Sequence, residues 1–178
     1  MSLQSLVITT MLPVYIPLQL IDKSRNGIEI PITWQIPTII VLTLIFNKKV
    51  VIRAFTIYLI LGLFIAPVFH QGGSIGYLLT PNFGYLLGLY PLIKIIDNLN
   101  TRNKINFISF LMNGFIAIVT MHLSGITYNF IQTIIYGQFN IFLYNLGKYS
   151  AGKIGYHFLI LLPLVLFIKP IKFFKNSK

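Results

Sequence analysis

Six apolar segments, residues 6–21, 32–46, 50–69, 83–96, 107–128 and 156–171, follow one another with only short polar breaks between them. That pattern restricts the chain more than any motif it carries. In hydrocarbon every backbone N–H and C=O must be satisfied within the protein, so apolar segments in series read as helices packed into a bundle. Charged residues make up 10% of the chain and its mean hydropathy is +0.80, whereas a soluble domain carries about a quarter charged residues. The expected fold is an all-α membrane protein of six transmembrane helices, formed by one domain over residues 1–178. Several segments fall short of the roughly 20 residues a crossing needs, so they draw on flanking polar and aromatic residues or sit where the bilayer thins. The first segment has no basic stretch before it and no small-residue cleavage site, and is read as a retained helix. A further aromatic run, residues 130–146, is interrupted by Gln132, Gly137, Gln138, Asn140 and Asn145. It is placed at the interface or as a re-entrant element, with a seventh crossing as the alternative.

Charge decides between these counts. Lysine and arginine outnumber aspartate and glutamate by 14 to 3. Such an excess suggests nucleic acid in a soluble protein, but here the positive-inside rule accounts for it. With six helices and both termini cytoplasmic, the inner side receives Lys48, Lys49, Arg53, Lys94, Arg102 and Lys104, and then Lys169, Lys172, Lys175 and Lys178. Only Lys23, Arg25, Lys148 and Lys153 fall outside, the first two beside Asp22 and Glu29. A seventh crossing would put the C-terminal lysines on the wrong side. The outer loops are then residues 22–31, 70–82 and 146–155. Prolines at 13, 17, 37, 67, 91 and 163 lie in or beside the spans, where each removes a backbone hydrogen bond and opens a kink.

Enzymatic chemistry has little to work with. No two of the carboxylates Asp22, Glu29 and Asp97 share a span, and His70, His122 and His157 are not spaced as metal ligands. There is no cysteine and no Walker motif, so ATP hydrolysis would have to come from another subunit. No metal, cofactor or catalytic residue is assigned, and the chain is read as a non-enzyme. What the outer loops and helix ends do carry is hydrogen-bonding and aromatic side chains: Thr33, Trp34, Gln35, Gln71, Tyr77, Thr80, Asn82 and Tyr85, then Tyr149, Lys153, Tyr156 and His157. A few polar groups converging on apolar walls suit a small amphipathic ligand. Lys148 and Lys153 have no acid near them in sequence, since none follows Asp97. Residues 69–89, FHQGGSIGYLLTPNFGYLLGL, add a glycine-rich loop running into a helix with Gly84 and Gly88 on one face. Gly72, Gly73 and Gly76 allow positive φ, as a lid over a pocket requires, while the helix glycines allow close packing.

Several of these stretches, in this order, resemble the BioY family of biotin transporters, the substrate-binding S components of energy-coupling-factor (ECF) vitamin importers. Residues 30–35 read IPITWQ against a family pattern IPxTxQ, and residues 58–69 read YLILGLFIAPVF against a third helix like YLLLGLxGLPVF. A glycine pair follows, then PNFGYLLGL at 81–89 against PTGGYLLGF, and His122 with Gly125 matches a histidine three positions before a glycine in the fifth helix. The chain departs from the family at Asn82-Phe83, which stand for Thr-Gly, and at residues 151–156. There AGKIGY replaces a PGDxxK-like turn, with Lys153 at the aspartate position and Tyr156 at the lysine position. The small-residue face on the first helix, by which S components dock on a shared membrane partner, is not evident.

The resemblance implies an ECF S-component-like bundle in a bacterial-type cytoplasmic membrane, importing biotin from an outward-facing pocket. It implies ATPase subunits and a transmembrane coupling subunit as partners, besides the lipid bilayer. Thr33, Gln35 and Asn82 would serve the ureido group of biotin, and Tyr77, Tyr85 and Tyr156 would flank its rings. Lys153 would meet its carboxylate. The Gly72-Gly73 loop would cap the site. Two other readings stand beside this one: an S component for another small vitamin, whose specificity Asn82-Phe83 and Lys153 would have shifted, and a membrane protein without transport activity.

Overall fold

The computed structural model describes residues 2–16, 28–70, 72–99 and 106–167. Asp22, Lys23 and Arg25 of the first outer loop lie outside these residues, as do Pro17, Gln71, Arg102, Lys104 and the lysines at 169, 172, 175 and 178. The elements in chain order are α1 (Ser2–Met11), β1 (Pro13–Ile16), β2 (Ile28–Thr33), α2 (Gln35–Ile45) and α3 (Lys48–Phe64). A 3-10 turn (Ile75–Leu79) precedes α4 (Pro81–Leu87), α5 (Leu89–Asp97), α6 (Phe107–Tyr136) and α7 (Phe139–Leu146). A π-helical turn (Gly147–Ala151) leads into α8 (Gly152–Leu164) and a closing 3-10 turn (Val165–Phe167).

The helical bundle expected from the apolar pattern is present, and its segments differ from the sequence reading in two places. The first span, expected over 6–21, stops as a helix at Met11, because Pro13 cannot continue the ladder. Val14, Tyr15 and Ile16 instead pair antiparallel with Ile30, Glu29 and Ile28, with a bulge between Pro13 and Val14. Trp34 N donates to Leu12 O at 3.1 Å and ties the foot of this hairpin to the start of α2. The fourth span, expected over 83–96, is two helices that meet at Gly88. Pro91 has no N–H to give the Leu87 carbonyl four residues back, so the ladder is interrupted there.

Capping side chains set other helix starts. Asn47 accepts from Lys49 N at 3.0 Å at the head of α3, and Asn106 accepts from Ser109 N at 2.7 Å at the head of α6. Among the described residues α6 is the one helix long and apolar enough to cross a membrane by itself. Its 30 residues extend about 45 Å, beyond the roughly 30 Å of hydrocarbon. Gly137, at φ +67°, reverses the chain in the left-handed conformation that glycine adopts without strain. The eight residues of α7 then cover only about 12 Å. They fold back on α6, where Asn145 Nδ2 donates to Asn129 Oδ1 at 3.2 Å and Phe142 packs on Phe130 at 5.7 Å. Residues 130–146 thus form a short helical hairpin with a length unsuited to a further crossing.

One apolar core joins the helices through Leu6, Ile39, Phe55, Tyr58, Leu92, Phe110 and Leu161, all buried. The outward faces are as apolar as this core: Ile57, Ile60 and Phe64 on α3, Met112 and Phe115 on α6, and Leu159 and Leu162 on α8 are all exposed. Water would make that surface untenable, but lipid makes it the expected one. The chain is an integral membrane protein. At one end, Lys48 Nζ lies 3.2 Å from Asp97 Oδ2 and joins two connections that the charge pattern places inside. At the other end the hairpin, the 70–82 loop and the 146–155 connection come together.

Candidate functional site

A cavity of about 340 Å³ opens where those three outer connections meet, a volume at the low end of the range for small-ligand sites. The hairpin and the head of α2 supply Ile30, Ile32, Thr33 and Gln35 to its wall, the glycine-rich loop supplies His70 and Tyr77, and α4 supplies Asn82 and Tyr85. The last wall is Lys148, Tyr149, Lys153 and His157, with Leu89 and Met121 at the base.

Each polar side chain is placed by identifiable local structure. Gln35 Nε2 donates to Tyr58 Oη at 3.3 Å, Tyr58 donates to Thr10 Oγ1 at 3.1 Å, and Thr10 donates to Leu6 O at 2.7 Å. This chain runs through a fully buried tyrosine and fixes the Gln35 amide, with Oε1 left over for a ligand N–H. Thr33 and Asn82 make no side-chain hydrogen bond among the described residues, and both line the cavity. Their hydrogen-bonding capacity is available to a ligand.

The glycine-rich loop is pinned to α3. Phe69 and Gly72 exchange backbone hydrogen bonds of 2.9 and 3.1 Å, and Ser74 N donates to Gly62 O at 2.9 Å. Gly72, at φ +127°, makes the turn as expected. Of the three loop glycines only Gly72 takes a positive φ; the other residue here that does is Ser74, at +142°. The Phe69 ring is buried and stands 4.6 Å from the Tyr77 ring, turning Tyr77 toward the cavity. Burial pushes the Tyr77 hydroxyl up to about 12, so it serves as a neutral donor, here toward His70 O at 3.4 Å. Tyr128 and Gln132 reach from α6 to the Leu78 carbonyl and hold the far side of the loop.

Helix α4 sits unusually close to α6. A Cβ at Gly88 would lie 2.6 Å from Met121 O, one at Gly84 would collide with the Tyr128 side chain, and one at Gly125 would collide with the Tyr85 ring. The expected small-residue face therefore exists, and Gly125 receives the very ring that α4 turns into the cavity. His122, three residues earlier on α6, stacks edge-on against the same ring at 5.6 Å.

On the opposite wall the π-helical turn adds a residue to the helical repeat and aims Lys148 and Tyr149 inward, a distortion common at functional sites. Lys148 Nζ lies 5.3 Å and Lys153 Nζ 5.6 Å from the Tyr149 ring centre, so two ammonium groups share one aromatic face or edge. Burial first, and then the Lys148 charge, pull Lys153 below the ordinary lysine value at this outer helix end. Among the described residues no carboxylate lines the cavity. Among the described residues the cavity lining offers two cations without a counter-charge, amide and hydroxyl groups, and aromatic walls.

Of the side chains the sequence singled out, Thr33, Gln35, Tyr77, Asn82, Tyr85 and Lys153 come together here. Tyr156 does not: it is 40% exposed on the outer face of α8, and its neighbour His157, about 100° further round the helix, faces in instead. Tyr149 and His157 belonged to the polar set at the outer helix ends without an assigned role, and Lys148 was visible only as a cation lacking a sequence partner. Of the hairpin's wall residues Thr33 is in that set, whereas Pro13 of β1 carries no binding signal, because its stretch reads as part of an apolar span.

Comparison with known proteins bears on this geometry. Over 93 residues, half of this chain, the sequence is 34% identical to a protein of Lysinibacillus sphaericus described as a probable biotin transporter BioY. The match spans 47% of that relative, so about half the length of the curated protein is represented. The fold is similar to the crystal structure of the S-component for biotin from an ECF-type ABC transporter, with a TM-score of 0.60 over 94% of this chain and 87% of that one. At 17% identity that likeness is one of fold. Residues 4–161 match the sequence model of the BioY family, and the chain belongs to that family.

Proposed function

We propose that this chain binds biotin at the outer face of a bacterial cell membrane and serves its uptake, as the substrate-binding S component of an ECF transporter formed by residues 1–178. The observation that carries the reading is the convergence of three separate outer connections on one cavity whose polar groups are sorted by kind. Biotin presents a ureido ring with two N–H donors and a carbonyl, an apolar sulfur ring and an anionic valerate. Gln35, Asn82 and Thr33 can meet the ureido group, Tyr77 and Tyr85 flank the rings, and Lys153 with Lys148 beside it meets the carboxylate. A mismatch at any of these would leave a buried polar group unpaired at a cost of about 1–3 kcal/mol. Membership of the BioY family and the names of the similar proteins support the same ligand.

The chain carries no nucleotide-binding motif, so uphill import draws its energy from ATPase subunits through a membrane coupling subunit. Uptake of tritiated biotin by cells that need external biotin and lack their own importer tests the proposal. Cells expressing this chain with an ECF module accumulate label above the vector control. Accumulation equal to the control, with the protein present in the membrane, would overturn the reading.

A further inference from the structure

Behind the cavity wall runs a buried polar chain to which the binding site as described assigns no role. Ser150 Oγ lies 2.8 Å from His122 Nδ1, and His122 Nε2 lies 3.0 Å from His157 Nδ1. All three residues are buried, with His122 2% and His157 6% exposed. Only His157 reaches the cavity. Its Nδ1 is committed to His122, and among the described residues nothing bonds its Nε2, so Nε2 is the polar atom the ring can offer to a ligand.

A contact between two imidazole nitrogens needs one N–H and one lone pair, which couples the rings. For a neutral pair there are two arrangements. Either Ser150 donates to His122, His122 donates to His157, and His157 Nε2 carries a hydrogen toward the cavity; or every bond is reversed and Nε2 is an acceptor. Tyr85 distinguishes them. Its hydroxyl is buried without a hydrogen bond, and Ser150 is within its reach. When Tyr85 donates to Ser150 Oγ, Ser150 spends its own hydrogen on His122 Nδ1, and each donor in the series finds an acceptor. In the reverse sense Ser150 Oγ accepts from His122, only one of the Tyr85 and Ser150 hydroxyl hydrogens can be used between the two groups, and the other is left without an acceptor among the described residues.

We propose that His157 Nε2–H is a ligand contact that donates to the ureido oxygen of biotin, with Tyr85, Ser150 and His122 acting as positioning residues that fix the ring in the donor sense. The placement agrees with the charge in the site. Lys153 and His157 are four residues apart on α8, about 6 Å along its axis. A ligand whose carboxylate meets Lys153 at the mouth therefore puts its ring system one turn deeper, beside His157. This assignment rests on the biotin reading and adds to it the atom that reads the head group.

Because the chain has three histidines, at 70, 122 and 157, selective 15N-histidine labelling of the full-length protein in detergent resolves each ring by NMR. Adding biotin is expected to shift the Nε2 signal of His157, with that ring in the Nε2–H tautomer. Competition binding gives the second measurement, using biotin and 2-iminobiotin at a pH where the latter carries a guanidinium that cannot accept a hydrogen bond. His157→Phe is expected to weaken biotin about 10-fold while changing 2-iminobiotin little, and His157→Gln, which keeps an N–H near the same position, to stay within about 3-fold of the unsubstituted protein for biotin. Ser150→Ala is expected to narrow the preference for biotin over 2-iminobiotin. Biotin bound with His157 unshifted or in the Nδ1–H tautomer, or both ligands weakened equally by His157→Phe, overturns the assignment alone. No biotin binding by the unsubstituted protein overturns the biotin reading and this contact with it.

Discussion

Lys153, read from the sequence as standing at the aspartate position of a PGDxxK-like turn, has company in the structure: Lys148 approaches the same Tyr149 ring, and no described carboxylate answers either cation in the cavity. A half-buried cation such as Lys153 is stabilised when an anionic ligand arrives. Lys153→Met is therefore expected to weaken biotin by about 10-fold or more, the size of a lost charge-assisted hydrogen bond, while biotin methyl ester binds both proteins alike. Equal biotin affinity in the variant would remove Lys153 from the site. At this scale the sequence is informative about residue types and less so about direction. Thr33, Gln35, Tyr77, Asn82, Tyr85 and Lys153 could be read as a binding set because they are polar or aromatic side chains at outer helix ends. Tyr156 was read the same way and points elsewhere. The π-helical turn at Gly147–Ala151 sets the rotation of α8, and nothing in GKYSA announces such a turn before the fold is seen.

The element that shapes the cavity most is the pair α4 and α6, which approach to backbone contact at Gly88 and Met121. A methyl group there meets the Met121 carbonyl and Cα at 2.6 and 2.9 Å, and backbone cannot rotate aside as a side chain can. Gly88→Ala is expected to push the helices apart and destabilise the protein by about 1–3 kcal/mol, read as a lower thermal midpoint in detergent. It should weaken biotin binding as well, since Tyr85 and Asn82 ride on α4; an unchanged midpoint would show that the contact is not tight. The glycine spacing made this face legible in the sequence, as six apolar runs made the bundle legible. The hairpin was hidden for a physical reason. Val14, Tyr15 and Ile16 are as apolar as the helix before them, and only their pairing with residues 28–30 makes a strand of them. Long-range pairing leaves no mark in local composition.

For the molecule as a whole, the inner and outer ends inferred from lysine and arginine placement are also different in build. The Lys48–Asp97 ion pair closes one end, and the other collects the hairpin, the pinned glycine loop and the Tyr149 cluster around a cavity. Between them, helices with apolar outer faces give the bilayer what it requires. On the reading proposed above, ligand binds at the outer end and its release at the other draws on an external source of energy. The central claim is that the outer cavity is a biotin site, and equilibrium binding of radiolabelled biotin to the purified, detergent-solubilised chain tests it most directly. Saturable binding displaced by unlabelled biotin, and displaced poorly by biotin methyl ester, is the predicted result; label that stays bound in the presence of excess unlabelled biotin, or no binding at all by folded protein, would contradict it.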